Sequence, residues 1–220
     1  MQGPIRCALV AGMLIGCSGD DTHVPDPDAS GSGAGGLVVQ WASTPESWPG
    51  DVGNGATIER AAFAFDSLRV VGDAGPGDPR TTASGFMVRW DENTVPSAVM
   101  FADAPSGLYS QISMAIDGHT TTETFDLRGH VNIDGTDYEY RIDGDDPLAA
   151  TIQIEEMLTP PATATVRLRI DFKKALGSLD FKSLTVDGGR IELDDSDPEM
   201  VDFRKKLVES FTVTKDGAVR

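Results

Sequence analysis

Alternation with a period of two residues governs most of this chain and narrows what it can fold into more than any other feature. From Thr163 to Phe172, Val166, Leu168, Ile170 and Phe172 fall on one side, while Thr165, Arg167, Arg169 and Asp171 fall on the other. Successive side chains of a strand point to opposite faces, so this segment reads as a half-buried strand with one face on a core and one in water. The same reasoning places strands at Leu37–Ala42, Thr57–Val71, Gly85–Trp90, Ala98–Phe101, Leu108–Ile116, Thr124–Ile133, Thr136–Ile142, Ala150–Glu155 and Ser183–Leu193. In Thr57–Val71 the apolar phase slips between Phe65 and Leu68, which predicts a bulge near Asp66-Ser67.

Asp-Gly pairs punctuate these runs. Asp134-Gly135 suits a two-residue type I′ turn, whose central residues both need positive φ. That loop pairs Ile133 with Thr136 and Val131 with Tyr138. Val131, Ile133, Tyr138, Tyr140 and Ile142 then share one face, and His130, Asn132, Asp137, Glu139 and Arg141 the other. Asp187-Gly188 predicts a second, shorter hairpin. Asp117-Gly118 would set Glu123 opposite Ile112, so a longer His119–Thr122 loop is expected there instead. A helix is expected near the end: Ser196 and Glu199 form a capping box, Pro198 lies in the first turn, and Met200, Phe203, Leu207 and Phe211 follow as a stripe.

Apolar residues make up 40% of the 220, enough for a core. Short strands with regularly spaced turn signals give an all-β chain, an antiparallel β-sandwich with one short C-terminal helix, forming a single domain over residues 37–220.

The first residues obey a different logic. Arg6 is the only charge before an apolar stretch of nine, Cys7 to Ile15, which is too short to span a bilayer but fits the core of an export signal. Leu14-Ile15-Gly16-Cys17 follows, and resembles the lipobox of bacterial lipoproteins. The resemblance implies cleavage after Gly16, a diacylglyceryl thioether on Cys17 and acylation of its new amino group. Several acyl chains anchor stably, at about 0.8 kcal/mol per buried CH₂, where one chain is marginal. Ser18 rather than Asp follows the cysteine, which by resemblance to the sorting rule of enteric bacteria implies the outer membrane of a Gram-negative cell. Residues 1–16 are thus expected to be a signal peptide. Residues 17–36 are expected to be the lipidated cysteine and a flexible acidic Gly/Ser/Asp linker. Cys7 leaves with the signal, so the exported chain holds Cys17 alone and no disulfide.

Chemistry-bearing motifs are scarce. Gly31 to Gly36 matches G-x-G-x-x-G, but an Asp-rich tether precedes it and a strand follows, so no dinucleotide site is expected. There is no G-x-S-x-G, and His23, His119 and His130 are the only imidazoles. His23 lies in the linker, and His130 falls opposite Glu139 as a cross-strand pair. Zinc lacks an H-E-x-x-H and thiolate ligands. An EF-hand reading of the window from His130 to Arg141 fails at its first and last positions. The acidic turns Asp143–Asp146 and Asp194–Asp197 read as solvated turn and helix cap, with a weak calcium site as the alternative. Trp48, in Pro45-Glu46-Ser47-Trp48-Pro49-Gly50, is either a platform for sugar or protein or a ring folded over the sandwich end, and the second is expected. Acids outnumber Lys and Arg by 35 to 18, which argues against nucleic acid as partner.

The run Phe101-Ala102-Asp103-Ala104-Pro105-Ser106-Gly107-Leu108-Tyr109-Ser110-Gln111-Ile112 resembles an L-P-A-G-x-Y-x-Q-I segment of bacterial lipoproteins with a prealbumin-like sandwich, a domain family of unknown function. Pro105, Gly107, Tyr109, Gln111 and Ile112 carry the match. Pro147-Leu148, and Ile170-Asp171-Phe172 followed by Ser178, resemble further parts of it, although Lys173 stands where the family has Asp. Period two puts Tyr109 and Gln111 on one face. The resemblance implies a prealbumin- or immunoglobulin-like sandwich at the envelope and brings no catalytic residues or cofactor. The expected function is therefore a non-catalytic envelope lipoprotein held to the membrane by its acyl chains, with a protein or glycan partner. A calcium- or glycan-binding module is the alternative, and a hydrolase of envelope material the second alternative.

Overall fold

A computed structural model describes residues 35–73, 75, 77–119 and 123–214. The expected signal sequence, Cys17, His23 and the expected linker up to residue 34 lie outside the described residues.

The described residues are mostly β, with two mixed sheets and two α-helices. In order it runs β1 (Leu37–Thr44), β2 (Gly50–Gly53), β3 (Ala56–Gly72), β4 (Thr82–Trp90), β5 (Val99–Phe101), β6 (Gly107–Ile116), β7 (Phe125–Ile133), β8 (Thr136–Gly144), β9 (Leu148–Leu158), β10 (Ala164–Asp171), α1 (Phe172–Leu176), β11 (Arg190–Leu193), α2 (Glu199–Glu209) and β12 (Phe211–Thr214). One sheet has the order β12-β10-β1-β5. The other runs β11-β8-β7-β3-β6-β9, with β2 and β4 also on β3.

The expectation of purely antiparallel sheets needs correction. β1 pairs β10 in parallel, from Leu37 opposite Ala164 to Thr44 opposite Asp171, and β11 pairs β8 in parallel. Alternation along one strand fixes which face is buried but not the direction of a neighbour more than a hundred residues away.

β3 is the spine of the larger sheet. Ala56–Phe63 pairs β7 and Phe65–Gly72 pairs β6, while β4 pairs Ala61–Arg69. Because a strand has two edges, β6 and β7 must lie end to end along the edge opposite β4. Ala64 marks the junction: its N–H donates to Thr124 O (3.0 Å), and its carbonyl accepts from Asp117 N–H (2.8 Å). The register slips between Phe65 and Ser67, which is the bulge that the broken apolar phase predicted. The Asp117-Gly118 segment therefore closes no hairpin. It leaves the β3 edge and returns through buried Thr124, whose hydroxyl accepts from Gly118 N–H (3.2 Å) and donates to Asp145 O (2.9 Å).

The Asp134-Gly135 hairpin forms as read, with Ile133 opposite Thr136, Val131 opposite Tyr138, and φ of 51° and 92° at the two turn residues. Ser183–Leu193 does not form a two-stranded hairpin. Its tight turn is Gly188-Gly189, closed by a bridge between Asp187 and Arg190, and only Arg190–Leu193 is a strand. Thr163–Phe172 alternates as expected but ends at Asp171, whose carboxylate accepts Lys174 N–H and starts α1 at Phe172. In β6 a bulge separates Tyr109 from Gln111 and breaks the expected shared face. Tyr109 turns into the core beside Ile112 and Met114, over Gly72, and its hydroxyl donates to Pro105 O (2.6 Å).

The capping box of the last helix is not made. Asp194 is a stronger acceptor than a hydroxyl, and it takes both the N–H (2.8 Å) and the O–H (2.6 Å) of Ser196. Ser196 is thus spent in the preceding turn, and α2 begins at Glu199 with Pro198 as its cap and no side-chain capping bond. Met200, Phe203 and Leu207 form the buried stripe, but Phe211 lies beyond the helix on β12, paired with Ile170. Facing aromatics join the two sheets: Trp41 of β1 lies 5.1 Å from Phe65 and 6.4 Å from Trp90, and Phe63 lies 5.8 Å from Phe211.

Candidate functional site

The water-facing side of β3, β7, β8 and β11 carries side chains that no alternation rule alone would bring together. The hairpin register sets Arg141 opposite Arg128 and Asp143 opposite Asp126. Pairing with β3 adds Arg60 opposite Arg128, and pairing with β11 adds Glu192 opposite Arg141. The result is a basic row of Arg60, Arg128 and Arg141 bordered by acids.

Asp126 is the pivot of that row. Its side chain is only 5% exposed, and guanidiniums of three strands converge on it. Arg128 donates from Nε at 3.0 Å and lies at 2.9 Å through Nη2. Arg141 donates from Nε at 3.3 Å, and Arg60 reaches it at 3.5 Å. Arg141 also donates to Glu123 (2.7 Å), while the buried Nε of Arg60 has no partner. Like charges on neighbouring rungs repel, so a shared buried carboxylate is what permits the row. Burial raises the Asp143 pKa; Arg141 opposes that, and Asp126, Glu123 and Asp194 reinforce it.

Beside this row lies a trough of about 960 Å³, lined by His130, Asp137, Glu139, Arg190, Glu192 and Asp187 among others. His130 stands opposite Glu139 as its register requires, but its ring nitrogens reach Asp137 (3.2 Å) and Glu59 (3.5 Å). Glu139 instead accepts from Arg190 (2.8 Å), which holds its carboxyl below the usual range. A second hollow, of about 530 Å³, lies between the β7–β8 turn and residues 177–182, next to a Lys182–Asp134 pair at 2.6 Å.

The two acidic turns singled out from sequence meet in space. Asp195 accepts the N–H groups of Asp145 (2.6 Å) and Asp146 (3.0 Å), and Arg204 of α2 bridges Asp146 and Asp195. Asp194 and Asp197 accept Ser196 and Asp194 N–H groups in turn. These oxygens already have donors, so the corner is a clamp fastening α2 to the β8–β9 turn. Among the described residues no group of three or more His, Cys, Asp or Glu is placed to hold a metal ion. His119 sits between Asp66 (3.3 Å) and Asp117 (3.6 Å). Trp48 folds back: it stacks on Trp90 at 6.4 Å, meets Phe172 edge-on at 5.5 Å and donates to Ser43 Oγ (3.1 Å).

Sequence reasoning did not single out the arginine row, although its signal was present. The turn at Asp134-Gly135 fixes Arg128 opposite Arg141, and Asp126 lies two residues before Arg128 on the same face. Arg60 was out of reach, because a bulge between Ile58 and Arg60 resets its phase. Comparison with protein-family models, curated proteins and solved structures finds no match for this chain.

Proposed function

We propose that this is a lipid-anchored protein of the bacterial cell envelope, held in the outer membrane through Cys17, that displays a non-catalytic β-sandwich of prealbumin-like kind for binding or structural work. The observation that carries the reading is the order of parts along the chain. A short apolar signal ends in Leu14-Ile15-Gly16-Cys17, an Asp/Gly/Ser/Pro linker follows, and the first strand starts at Leu37. Because β1 lies between β10 and β5, the linker runs straight into the interior of a sheet. An anchored tether would thus be fastened to a structural strand rather than to a frayed edge.

The state of the charged side chains supports a stiff display surface. Each described imidazole lies between two carboxylates, and the buried carboxylate of Asp126 is shared by three guanidiniums. A buried carboxylate shared in this way stiffens a recognition surface. Replacing Cys17 with Ser tests the anchor. Wild type should take up labelled palmitate and sediment with membranes, whereas Cys17→Ser should lose the label and leave the membrane fraction. A variant that keeps both properties overturns the reading.

A further inference from the structure

The edge of β4 opposite β3 pairs with no strand among the described residues. The direction of its polar groups follows from β3. Ala64 spends its N–H and carbonyl on the β6–β7 side, so Phe63 and Phe65 turn theirs toward β4. Their partners Val88 and Phe86 face β3 in return, which leaves the N–H and C=O of Met87 and Arg89 pointing away from the sheet. Gly85, at φ +67°, bends the strand on one side of this run. On the other side Asp91 is engaged with Thr94. A short straight edge, Phe86–Trp90, remains open between them.

Charge distinguishes this edge from those of β9 and β11, which carry acids. The chain is formally −17, so copies repel one another over most of their surface. β4 contains no acid, and its one charge, Arg89, is held by Asp91 at 2.7 Å. It also bears Met87, an apolar side chain 54% exposed. By contrast, β11 is fastened at Arg190 by Asp187 and at Asp194 by Asp197, and carries Glu192 between them. Unpaired edges that natural proteins do not blunt with charge are templates for another strand.

We propose that this edge is a self-association surface, on which two copies of the chain pair Phe86–Trp90 antiparallel about a two-fold axis at Val88. Met87 of one copy then exchanges N–H and C=O bonds with Arg89 of the other, so the open groups of both are satisfied. On the outer face Met87 lies along the aliphatic stem of the second copy's Arg89, while Val88 and Trp90 stay buried in their own core. The pairing is self-complementary, sets no like charges directly opposite, and is independent of the anchor proposed at Cys17.

The test uses the full chain in mild detergent, with micelles in excess so that no two copies share one. Sedimentation equilibrium should show a monomer–dimer equilibrium between about 1 µM and about 1 mM, the weak end of specific association. Met87→Pro removes an N–H that faces away from β3, so the ladder to β3 is retained while the edge loses a donor. This variant should dimerise at least about tenfold more weakly. On the unmodified chain, amide exchange at Met87 and Arg89 should slow at least about tenfold from low to high concentration, while exchange at Glu192 stays constant. A wild type that is monomeric throughout overturns the proposal, as does a dimer that leaves exchange at Met87 and Arg89 unchanged. If the edge is protected only when an extended peptide of another sequence is added, the surface belongs to a foreign partner and the proposal fails equally.

Discussion

Replacing Asp126 with Asn tests whether one buried carboxylate holds the charged face together. The substitution keeps the shape and removes the charge that Arg60, Arg128 and Arg141 share. Removing one partner of a fully buried ion pair costs about 3–5 kcal/mol, because the other charge is stranded. Here the arginine side chains are 31–45% exposed and regain water, so most of that cost is screened. What remains is a weakened set of charge-assisted hydrogen bonds plus repulsion between arginines on adjacent rungs, together about 2 kcal/mol. For a domain of this size that is a fall in Tm of roughly 4–8 °C. Urea unfolding should show a lower midpoint at unchanged slope, since the buried surface is the same. The repulsive part should shrink in about 1 M NaCl, where the screening length is near 3 Å. Adding Arg128→Gln to the variant should recover more than about 0.5 kcal/mol, the mark of coupled neighbours. A loss below about 0.5 kcal/mol, or one indifferent to both salt and the second substitution, would refute the role assigned to Asp126.

Two further outcomes follow from the same sheet. A Cβ on Gly129 would lie 1.9 Å from Thr57 O and 2.7 Å from the Tyr140 hydroxyl, so Gly129→Ala should cost about 2–4 kcal/mol by thermal unfolding, whereas Gly135→Ala, which meets nothing, should show only the smaller cost of a positive φ. Burial raises the Asp143 pKa, so the folded state binds that proton more tightly than the unfolded chain, and stability is lost as pH rises through the window just above the usual aspartate range. Asp143→Asn should therefore be at least as stable as wild type at neutral pH, with the difference vanishing below that window, as urea midpoints between pH about 3 and about 8 would show.

How much could be read in advance depended on the range of the interactions involved. The β7–β8 hairpin was legible to the residue because turn, register and face are all set within twenty residues of Asp134-Gly135. The parallel β1–β10 pair was not, since its partners lie far apart and the alternation of Leu37–Thr44 is compatible with either direction. Phe211 shows a different limit. Its spacing from Leu207 continues a helical stripe, yet Ser210 donates to Leu207 O and ends the helix, and the β-branched Thr212-Val213-Thr214 take up strand pairing with β10. Ser196 failed as a cap for a local reason: a nearby carboxylate outbid the backbone for its hydroxyl. The charged face was half legible, its hairpin rungs following from the turn and its third arginine hidden by the bulge before Arg60.

The bulk acidity of the chain changes meaning once its carboxylates are followed to their donors. Asp51, Asp78, Asp91, Asp117, Asp180 and Asp194 each accept the N–H two residues onward, the bond that lets aspartate close a turn. Where such a bond joins with a side-chain donor, as at Asp51, Asp78 and Asp194, the carboxyl is held below its usual range. Charges fixed by turn geometry are not gathered around a ligand; they are spread wherever the chain reverses. Their sum still repels any second acidic body, and it does so least along a strand that has no turn and no acid of its own. Turn chemistry thus bears on association as well as on folding: by placing carboxylates at the reversals, it leaves the middle of β4 as an acid-free edge at which the backbone can still be paired.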